Sequence, residues 1–299
     1  MRSDVGPTPD RLGFLLKLGF YGFLVFIAVP LCAWILSPAG YIVAATGATL
    51  LAGLIANAVS LLVFERVSLS AIGLDWDRGS LGQLGTGVAA GVLAGAVVTL
   101  VPLALGLATL EADPRQPASL WGFLFVTLLL LFGAFGEELL FRGYGFQLLW
   151  RHMGTTFTLG ATAFLFGLVH LSNLNVAPLG ILNTIGFGVV LGYGFIRTEH
   201  LWLPIGLHFG WNWILPLVGG NLSGFTIGLS GYTLRWHVPA VWSGGLYGPE
   251  AGVPASLIVV ALAAWLHRLR PRPAERQEGL DVQDQIGHSG GDSRGNGAG

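Results

Sequence analysis

Residues 133–143 read Gly-Ala-Phe-Gly-Glu-Glu-Leu-Leu-Phe-Arg-Gly and place three ionisable side chains inside an otherwise apolar segment. Residues 120–135 carry no charge, and residues 143–150 contain only Gln147 as a clearly polar group. Charged side chains at membrane depth are costly, so they pair with each other, face a wet cavity or take part in chemistry. These three residues therefore indicate where a functional site is to be sought.

The three charged residues are divided by helical geometry. Glu138 and Arg142 stand four apart, with the acid on the N-terminal side, so they share a face and are expected to pair. Glu137 lies about 100° further round the helix and cannot join that pair in the same way. We therefore expect a structural role for Glu138 and a different partner for Glu137.

The composition is that of an integral membrane protein. Hydrophobic residues make up 53% of the chain and charged residues 10%, which is far from the average soluble domain. Several apolar runs are close to the length that a membrane-spanning helix needs. They predict an all-α polytopic protein with about eight transmembrane helices around a polar intramembrane cavity. The predicted spans are 14–36, 41–64, 81–106, 120–150, 156–171, 176–196, 201–218 and 253–269.

The predicted organisation has three parts. Residues 1–13 form a cytoplasmic tail, residues 14–269 the eight-helix membrane domain with a catalytic core at 120–215, and residues 270–299 a disordered cytoplasmic tail. With both termini inside, only Arg115 and Arg235 fall outside. The cytoplasmic side then receives eleven cations close to the span ends or in the tails, which fits the positive-inside rule: Arg2, Arg11, Lys17, Arg66, Arg78, Arg151, Arg197, Arg268, Arg270, Arg272 and Arg276.

Glycines at a spacing of four mark two predicted helix contacts. Gly87, Gly91 and Gly95 in the third span, and Gly188 and Gly192 in the sixth, would let neighbouring helices approach closely. Such strips are packing features rather than phosphate-binding loops.

The long segment 219–252 is rich in Gly, Ser and aromatic residues, and we expect it to fold over the outer mouth of the bundle. His237 and Glu250 lie in it and are assigned structural roles. Cys32, the single cysteine, excludes an internal disulfide and is interpreted as a core or lipid-facing residue.

Two later spans bring histidines into apolar surroundings. Phe166 and His170 are four apart in the fifth span, and His208 and Asn212 are four apart in the seventh. A single buried histidine is more often a hydrogen-bonded core residue, but these groups and Glu137 together are best explained by one shared cavity. The chain has no Gly-x-Ser-x-Gly or His-Glu-x-x-His motif, which argues against serine and HExxH zinc hydrolases.

Order and spacing of these motifs resemble the CPBP intramembrane proteases, the group that contains the type II CAAX prenyl endopeptidases and the bacteriocin-processing Abi proteins. Glu137 to Gly143 matches the Glu-Glu-x-x-x-Arg motif of that family, Phe166 to His170 its Phe-x-x-x-His motif, and His208 to Asn212 its His-x-x-x-Asn motif. The resemblance covers roughly residues 120–212.

The resemblance implies an endopeptidase that acts on membrane-associated proteins or peptides. Glu137 and His170 would activate a water, His208 and Asn212 would stabilise the oxyanion, and Glu138, Arg142 and Phe166 would support them. The resemblance also implies that substrate enters from the cytoplasmic side. We favour a metal-free mechanism; the alternative is a zinc ion held by Glu137, His170 and His208.

The competing interpretation is a non-catalytic membrane protein, such as a scaffold, an immunity factor or a transporter that uses the same buried polar groups. A transporter often contains an internal repeat, and the two halves of this chain show none. The expected partners are a peptide or protein substrate and the lipid bilayer, with no nucleic acid. Gly, Ala and Arg usage indicates a bacterial source.

Overall fold

The computed structural model describes residues 11 to 269, and nearly all of its regular structure is helical. The helices are α1 (Arg11–Leu36), α2 (Tyr41–Ser60), α3 (Ser80–Ala104), α4 (Leu120–Arg142), α5 (Tyr144–Val169), α6 (Pro178–Thr198), α7 (Trp202–Leu217), the single turn α8 (Ala240–Ser243) and α9 (Val253–Arg268). Two strands, β1 (Ala108–Ala112) and β2 (Tyr232–Trp236), complete these elements. The predicted tail 270–299 lies outside the described residues.

The all-α polytopic membrane class is confirmed. Five stretches of the described chain are long and apolar enough to cross a membrane: Arg11–Ala39, Tyr41–Glu65, Ser80–Ala104, Leu120–Ser172 and Pro178–Thr198. The fourth stretch contains both α4 and α5, while α7 and α9 have 16 residues each. The predicted total of eight spans stays a prediction.

The helix ends differ from two predicted segment boundaries. Helix α1 begins at Arg11, within the predicted tail 1–13. The predicted span 120–150 is divided, because α4 ends at Arg142 and α5 begins at Tyr144. Within α5, Gly154 adopts φ 77° and ψ 173°, which puts a kink in the predicted turn between the fourth and fifth spans.

The side chain of Asn57 on α2 occupies the break between α4 and α5. Its Nδ2 donates to Leu139 O at 2.9 Å, and its Oδ1 accepts from Tyr144 N at 2.6 Å. A Cβ on Gly143 would lie 2.2 Å from the same Oδ1, so only glycine fits there. Buried backbone groups need partners, and Asn57 supplies them where the helix is interrupted.

The predicted glycine strip of α3 packs directly on the backbone of α7. A Cβ on Gly87 would lie 2.3 Å from Leu203 O, and one on Gly91 would lie 2.2 Å from Leu207 O. Helix α7 reciprocates with Gly206 and Gly210, whose Cβ atoms would meet α3 carbonyls at 2.3 and 2.4 Å. This mutual approach fixes α7, the helix that carries His208 and Asn212.

A two-stranded sheet was not foreseen from the sequence. Strands β1 and β2 pair antiparallel, with Ala108 opposite Trp236 and Ala112 opposite Tyr232. β2 lies in the segment 219–252, whose Leu222, Ser223 and Glu250 line a cavity in the bundle. The segment therefore covers the bundle as expected, but it is tied down by strand pairing that five-residue runs are too short to reveal.

The described helices define two ends of the bundle. At the first, here called the loop end, the α1–α2 and α5–α6 connections, the sheet and the segment 219–252 meet; Asn175 Nδ2, for example, donates to Gly224 O at 3.1 Å. The opposite end, here called the arginine end, joins the start of α1, the α2–α3 connection and the α6–α7 connection. There Leu201 N donates to Gly73 O at 2.9 Å.

Candidate active site

A cavity of about 190 Å³ lies between α2, α4, α5, α6, α7 and the segment 219–252. Glu137, His170, His208 and Asn212 all line it, and so does Phe166. Three separate helices, α4, α5 and α7, therefore bring the residues of the three sequence motifs to one chamber. The arrangement supplies a carboxylate, two imidazoles and an amide around one cavity.

Glu138 and Arg142 form the predicted pair on α4, and both are fully buried. Arg142 Nη1 donates to Glu138 Oε1 at 3.1 Å, and Nη2 donates to Gly188 O of α6 at 2.9 Å. Two buried charges compensate each other only when geometry is good and further hydrogen bonds are made. The pair thereby joins α4 to α6.

Glu138 has a second partner that helical spacing could not predict. His208 Nδ1 lies 2.8 Å from Glu138 Oε1, and because a carboxylate only accepts, Nδ1 donates this hydrogen bond. The bond fixes the ring of His208 and directs Nε2 away from Glu138. Glu138 thus orients a site residue as well as neutralising Arg142.

Glu137 faces the chamber rather than the buried pair. Its Oε2 lies 3.8 Å from His208 Nε2, and its side chain is 27% exposed. That oxygen is enclosed and has no hydrogen-bond partner among the described residues. Glu137 therefore presents an acceptor to the chamber, as expected for the acid that does not pair with Arg142.

His170 directly follows the last residue of α5 and begins a short 3₁₀ turn that ends at Ser172. Its Nδ1 donates to Phe166 O at 2.7 Å, which leaves Nε2 as the acceptor of the neutral ring. The Phe166 ring lies 4.6 Å from the His170 ring and 6.1 Å from the His208 ring. Phe166 therefore separates and positions the two imidazoles.

Phe166 also covers the buried cation. The guanidinium carbon of Arg142 lies 4.9 Å from the centroid of the Phe166 ring, within cation–π distance. Phe141 adds an edge-to-face contact to the same ring at 5.0 Å. The predicted supporting residues Glu138, Arg142 and Phe166 are thus in contact with one another next to the two histidines.

Glu250, which the sequence assigned a structural role in the loop, lines the same chamber. Its Oε1 accepts from Trp211 Nε1 at 3.2 Å, and its Oε2 accepts from the backbone N and the hydroxyl of Ser223. Burial raises the pKa of the Glu250 carboxyl, against the hydrogen bonds from Trp211 and Ser223, which lower it. The carboxyl links α7 to the covering segment beside Asn212.

Sequence reasoning missed this second polar group of the chamber. Its members beyond Glu250 are Ser223, Asn173 and Thr184, which come from the covering segment, the α5–α6 connection and α6. None of them belongs to a spaced motif. The Gly-Pro-Glu sequence before α9 was the one signal available in the sequence. It does not indicate which residues the Glu250 side chain contacts.

The donor atoms of the alternative zinc set, Glu137, His170 and His208, are not all within 4.8 Å of one another. Among the described residues, the one group of three potential ligands whose donor atoms all lie within 4.8 Å of one another is Asp75, Asp77 and His200. Glu137, His170 and His208 do not meet that spacing. The Asp75 group lies at the arginine end, where His200 Nδ1 and Asp75 Oδ1 are 3.3 Å apart.

A second, larger cavity of about 1280 Å³ adjoins the chamber. We call it the lateral groove; α1, α2 and α5 line it, mostly with apolar residues such as Leu18, Val25 and Phe157. Glu137 and His170 line both the lateral groove and the chamber. A long apolar ligand in the groove would therefore reach the polar groups of the site.

Residues 119–214 match the family model described as "Type II CAAX prenyl endopeptidase Rce1-like". The match spans α4 to α7 and includes all seven residues of the three motifs, so the predicted family resemblance is confirmed. No curated protein matches the chain significantly.

Proposed function

We propose that this protein is an intramembrane endopeptidase that hydrolyses peptide bonds of membrane-associated protein or peptide substrates. The observation that carries the proposal is the convergence of Glu137, His170, His208 and Asn212 on one cavity that adjoins an apolar groove. The match to an endopeptidase family model over residues 119–214 supports the same reaction class.

The proposed nucleophile is a water held between Glu137 and His170. Glu137 Oε2 is free to accept a proton from it, and His170 Nε2 is the ring nitrogen that the Phe166 carbonyl does not engage. As the water attacks the scissile carbonyl, its proton passes to Glu137 or His170 and later to the leaving amine. General acid–base transfer of this kind contributes typically about 10²–10⁴-fold to the rate.

The proposed oxyanion site is formed by His208 and Asn212. One helical turn separates them on α7, so their side chains can reach the same oxygen of a tetrahedral intermediate. The Nδ1–H of His208 is engaged by the Glu138 carboxylate, and the protonated ring then offers Nε2–H to the oxyanion. Donors fixed before the reaction stabilise charge that develops only in the transition state.

We also propose that the reaction needs no metal. The reason is the donor spacing: Glu137, His170 and His208 are arranged around a cavity rather than around one ion. Purified protein stripped with a chelator should keep its activity and contain no stoichiometric metal. Loss of activity that is restored by zinc would overturn this part of the proposal.

The central experiment compares the membrane peptidomes of cells that carry wild type, Glu137→Gln or His170→Gln. Both variants should lose the same set of cleavage products while the protein remains folded and in the membrane. Glu111→Gln is the matched control, since Glu111 is an exposed carboxylate on β1 that pairs with Arg235. A Glu137→Gln strain that keeps the wild-type products would refute the assignment and favour a non-catalytic scaffold or transporter.

A further inference from the structure

We propose that Trp211 and Trp213 are positioning residues that aim the Asn212 amide into the chamber. Their indole groups are held on either side of Asn212, the first by Glu250 and the second by Thr127. The proposal rests on the oxyanion role of Asn212 proposed above, and it explains how that side chain is kept in place.

Asn212 depends on outside support more than His208 does. The ring of His208 is fixed directly, because its Nδ1 donates to the Glu138 carboxylate at 2.8 Å. The side chain of Asn212 makes no hydrogen bond with any other residue that the structure describes. The direction of its amide is therefore set by the backbone of α7 and by whatever holds that backbone.

The backbone of α7 is weakened at this residue. Pro216 lies inside the helix, four residues after Asn212. A proline has no N–H to donate to the carbonyl of residue i−4, and its ring crowds that carbonyl. The Asn212 carbonyl thus lacks the intrahelical hydrogen bond that would hold this turn, so the turn needs support from other elements.

The two neighbouring tryptophans supply that support. Successive residues of a helix point about 100° apart, so Trp211 and Trp213 project on either side of Asn212. Trp211 Nε1 donates to Glu250 Oε1 at 3.2 Å, which ties α7 to the covering segment. Trp213 Nε1 donates to Thr127 Oγ1 at 3.1 Å, which ties α7 to α4. With one indole fixed on each side, α7 cannot rotate about its axis and turn Asn212 away from the chamber.

Aromatic contacts add to both attachments. Trp211 is buried and packs against Phe187 of α6, with the ring centroids 4.5 Å apart. Phe123 of α4 makes an edge-to-face contact with Trp213 at 6.2 Å, a geometry that aromatic pairs prefer. Each tryptophan is therefore held by a hydrogen bond and by a second ring, and the two attachments involve different elements of the bundle.

The hydrogen bond between Trp213 and Thr127 gives the clearest test, because neither residue is among those that line the chamber. Thr127→Val keeps the shape of the side chain and removes the hydroxyl that accepts from Trp213. Thr127→Ser keeps that hydroxyl and is the conservative control. Trp121→Phe is a second control, since Trp121 lies on the same helix as Thr127 and is 80% exposed.

The kinetic assay uses a substrate taken from the peptidome comparison. Thr127→Val should lower kcat by roughly 10-fold and leave KM unchanged, because an oxyanion donor acts in the transition state and not on the bound substrate. Asn212→Ala sets the upper limit of the effect, which is typically about 10²–10³-fold for one oxyanion donor. Thr127→Val should have no further effect in the Asn212→Ala background, since no amide is left to aim. Thr127→Ser and Trp121→Phe should keep the wild-type kcat.

Two kinetic results would overturn the proposal: a wild-type kcat in Thr127→Val, or a loss in the Asn212→Ala background equal to the loss in the wild-type background. The second result would mean that Thr127 acts on stability or on another group. A wild-type rate in Asn212→Ala would instead refute the oxyanion role itself, and the proposal would fall with it.

Hydrogen exchange of the full protein in detergent tests the attachment without any substrate. Amides of residues 209–215 should exchange faster in Thr127→Val and in Trp213→Phe than in the wild type, because both variants release the same side of α7. Trp121→Phe should leave this exchange unchanged, and thermal unfolding of the same samples shows whether each variant is folded. Equal exchange over 209–215 in the wild type and both variants would show that this bond does not hold α7, whatever the cleavage rates.

Discussion

Gly91→Ala tests whether the contact between α3 and α7 holds the catalytic residues in place. The added Cβ would lie 2.2 Å from Leu207 O and 2.7 Å from Trp211 N. Both atoms belong to the α7 backbone, so a side-chain rotation cannot relieve the overlap. Since ordinary contact begins near 3.4 Å, the helices would have to separate by about 1.2 Å.

This separation predicts two effects of different size. Overpacking typically costs about 1–3 kcal/mol, and the better helix propensity of alanine offsets roughly 0.5–1 kcal/mol of that. At roughly 2–4 °C per kcal/mol for a chain of this size, Tm should fall by a few degrees. Activity should fall more, by about 10²-fold, because a shift near 1 Å displaces His208 and Asn212 from their productive geometry.

The assay combines thermal unfolding in detergent with cleavage of a substrate taken from the peptidome comparison. Gly85→Ala is the matched control, because it lies on the same helix and its Cβ would meet nothing within 4 Å. Gly85→Ala should keep the wild-type rate and a Tm at or slightly above the wild-type value. If Gly91→Ala behaved like Gly85→Ala in both measurements, the close approach of α3 and α7 would not be what positions the site.

Three further substitutions test other parts of the structure. Glu138→Gln should lower Tm strongly, since removing one partner of a buried ion pair typically costs about 3–5 kcal/mol, and adding Arg142→Met should recover part of the loss; an unchanged Tm in the single variant would contradict the pairing. Asn57→Leu should cost about 1–3 kcal/mol by removing the buried hydrogen bond that Asn57 Oδ1 accepts from Tyr144 N. Hydrogen exchange at that amide should accelerate; equal protection in both proteins would count against it. Burial raises the pKa of the Glu250 carboxyl above its usual 4.5. The contribution of this group to stability is therefore present below pH 4.5 and is lost as the pH rises through the folded-state pKa. Glu250→Gln should show a flatter decline of Tm with rising pH, and a slope identical to that of the wild type would argue against a raised pKa.

Local spacing made part of the site predictable. The i,i+4 spacing of Glu138 and Arg142 predicted the buried ion pair, and helical geometry predicted that Glu137 faces a different side of the helix. The glycines of α3 indicated close packing, although the sequence could not say that α7 is the partner. Each of these features depends only on the geometry of one helix, and that geometry is the same wherever the helix lies.

Contacts between elements distant in the chain could not be predicted in this way. Asn57 divides α4 from α5 across 82 residues, His208 donates to Glu138 across 70, and Trp211 reaches Glu250 across 39. Each contact depends on how the helices are translated and rotated against one another, and close packing of many side chains decides that.

The sequence alone determined the membrane class, the motif residues, the endopeptidase resemblance and the uneven distribution of arginines. Only the tertiary structure decided that Glu250 joins the chamber and that Glu138 orients His208. The reason is physical: hydropathy and helical period are properties of a single segment, whereas a cavity exists only once separate segments have packed around it.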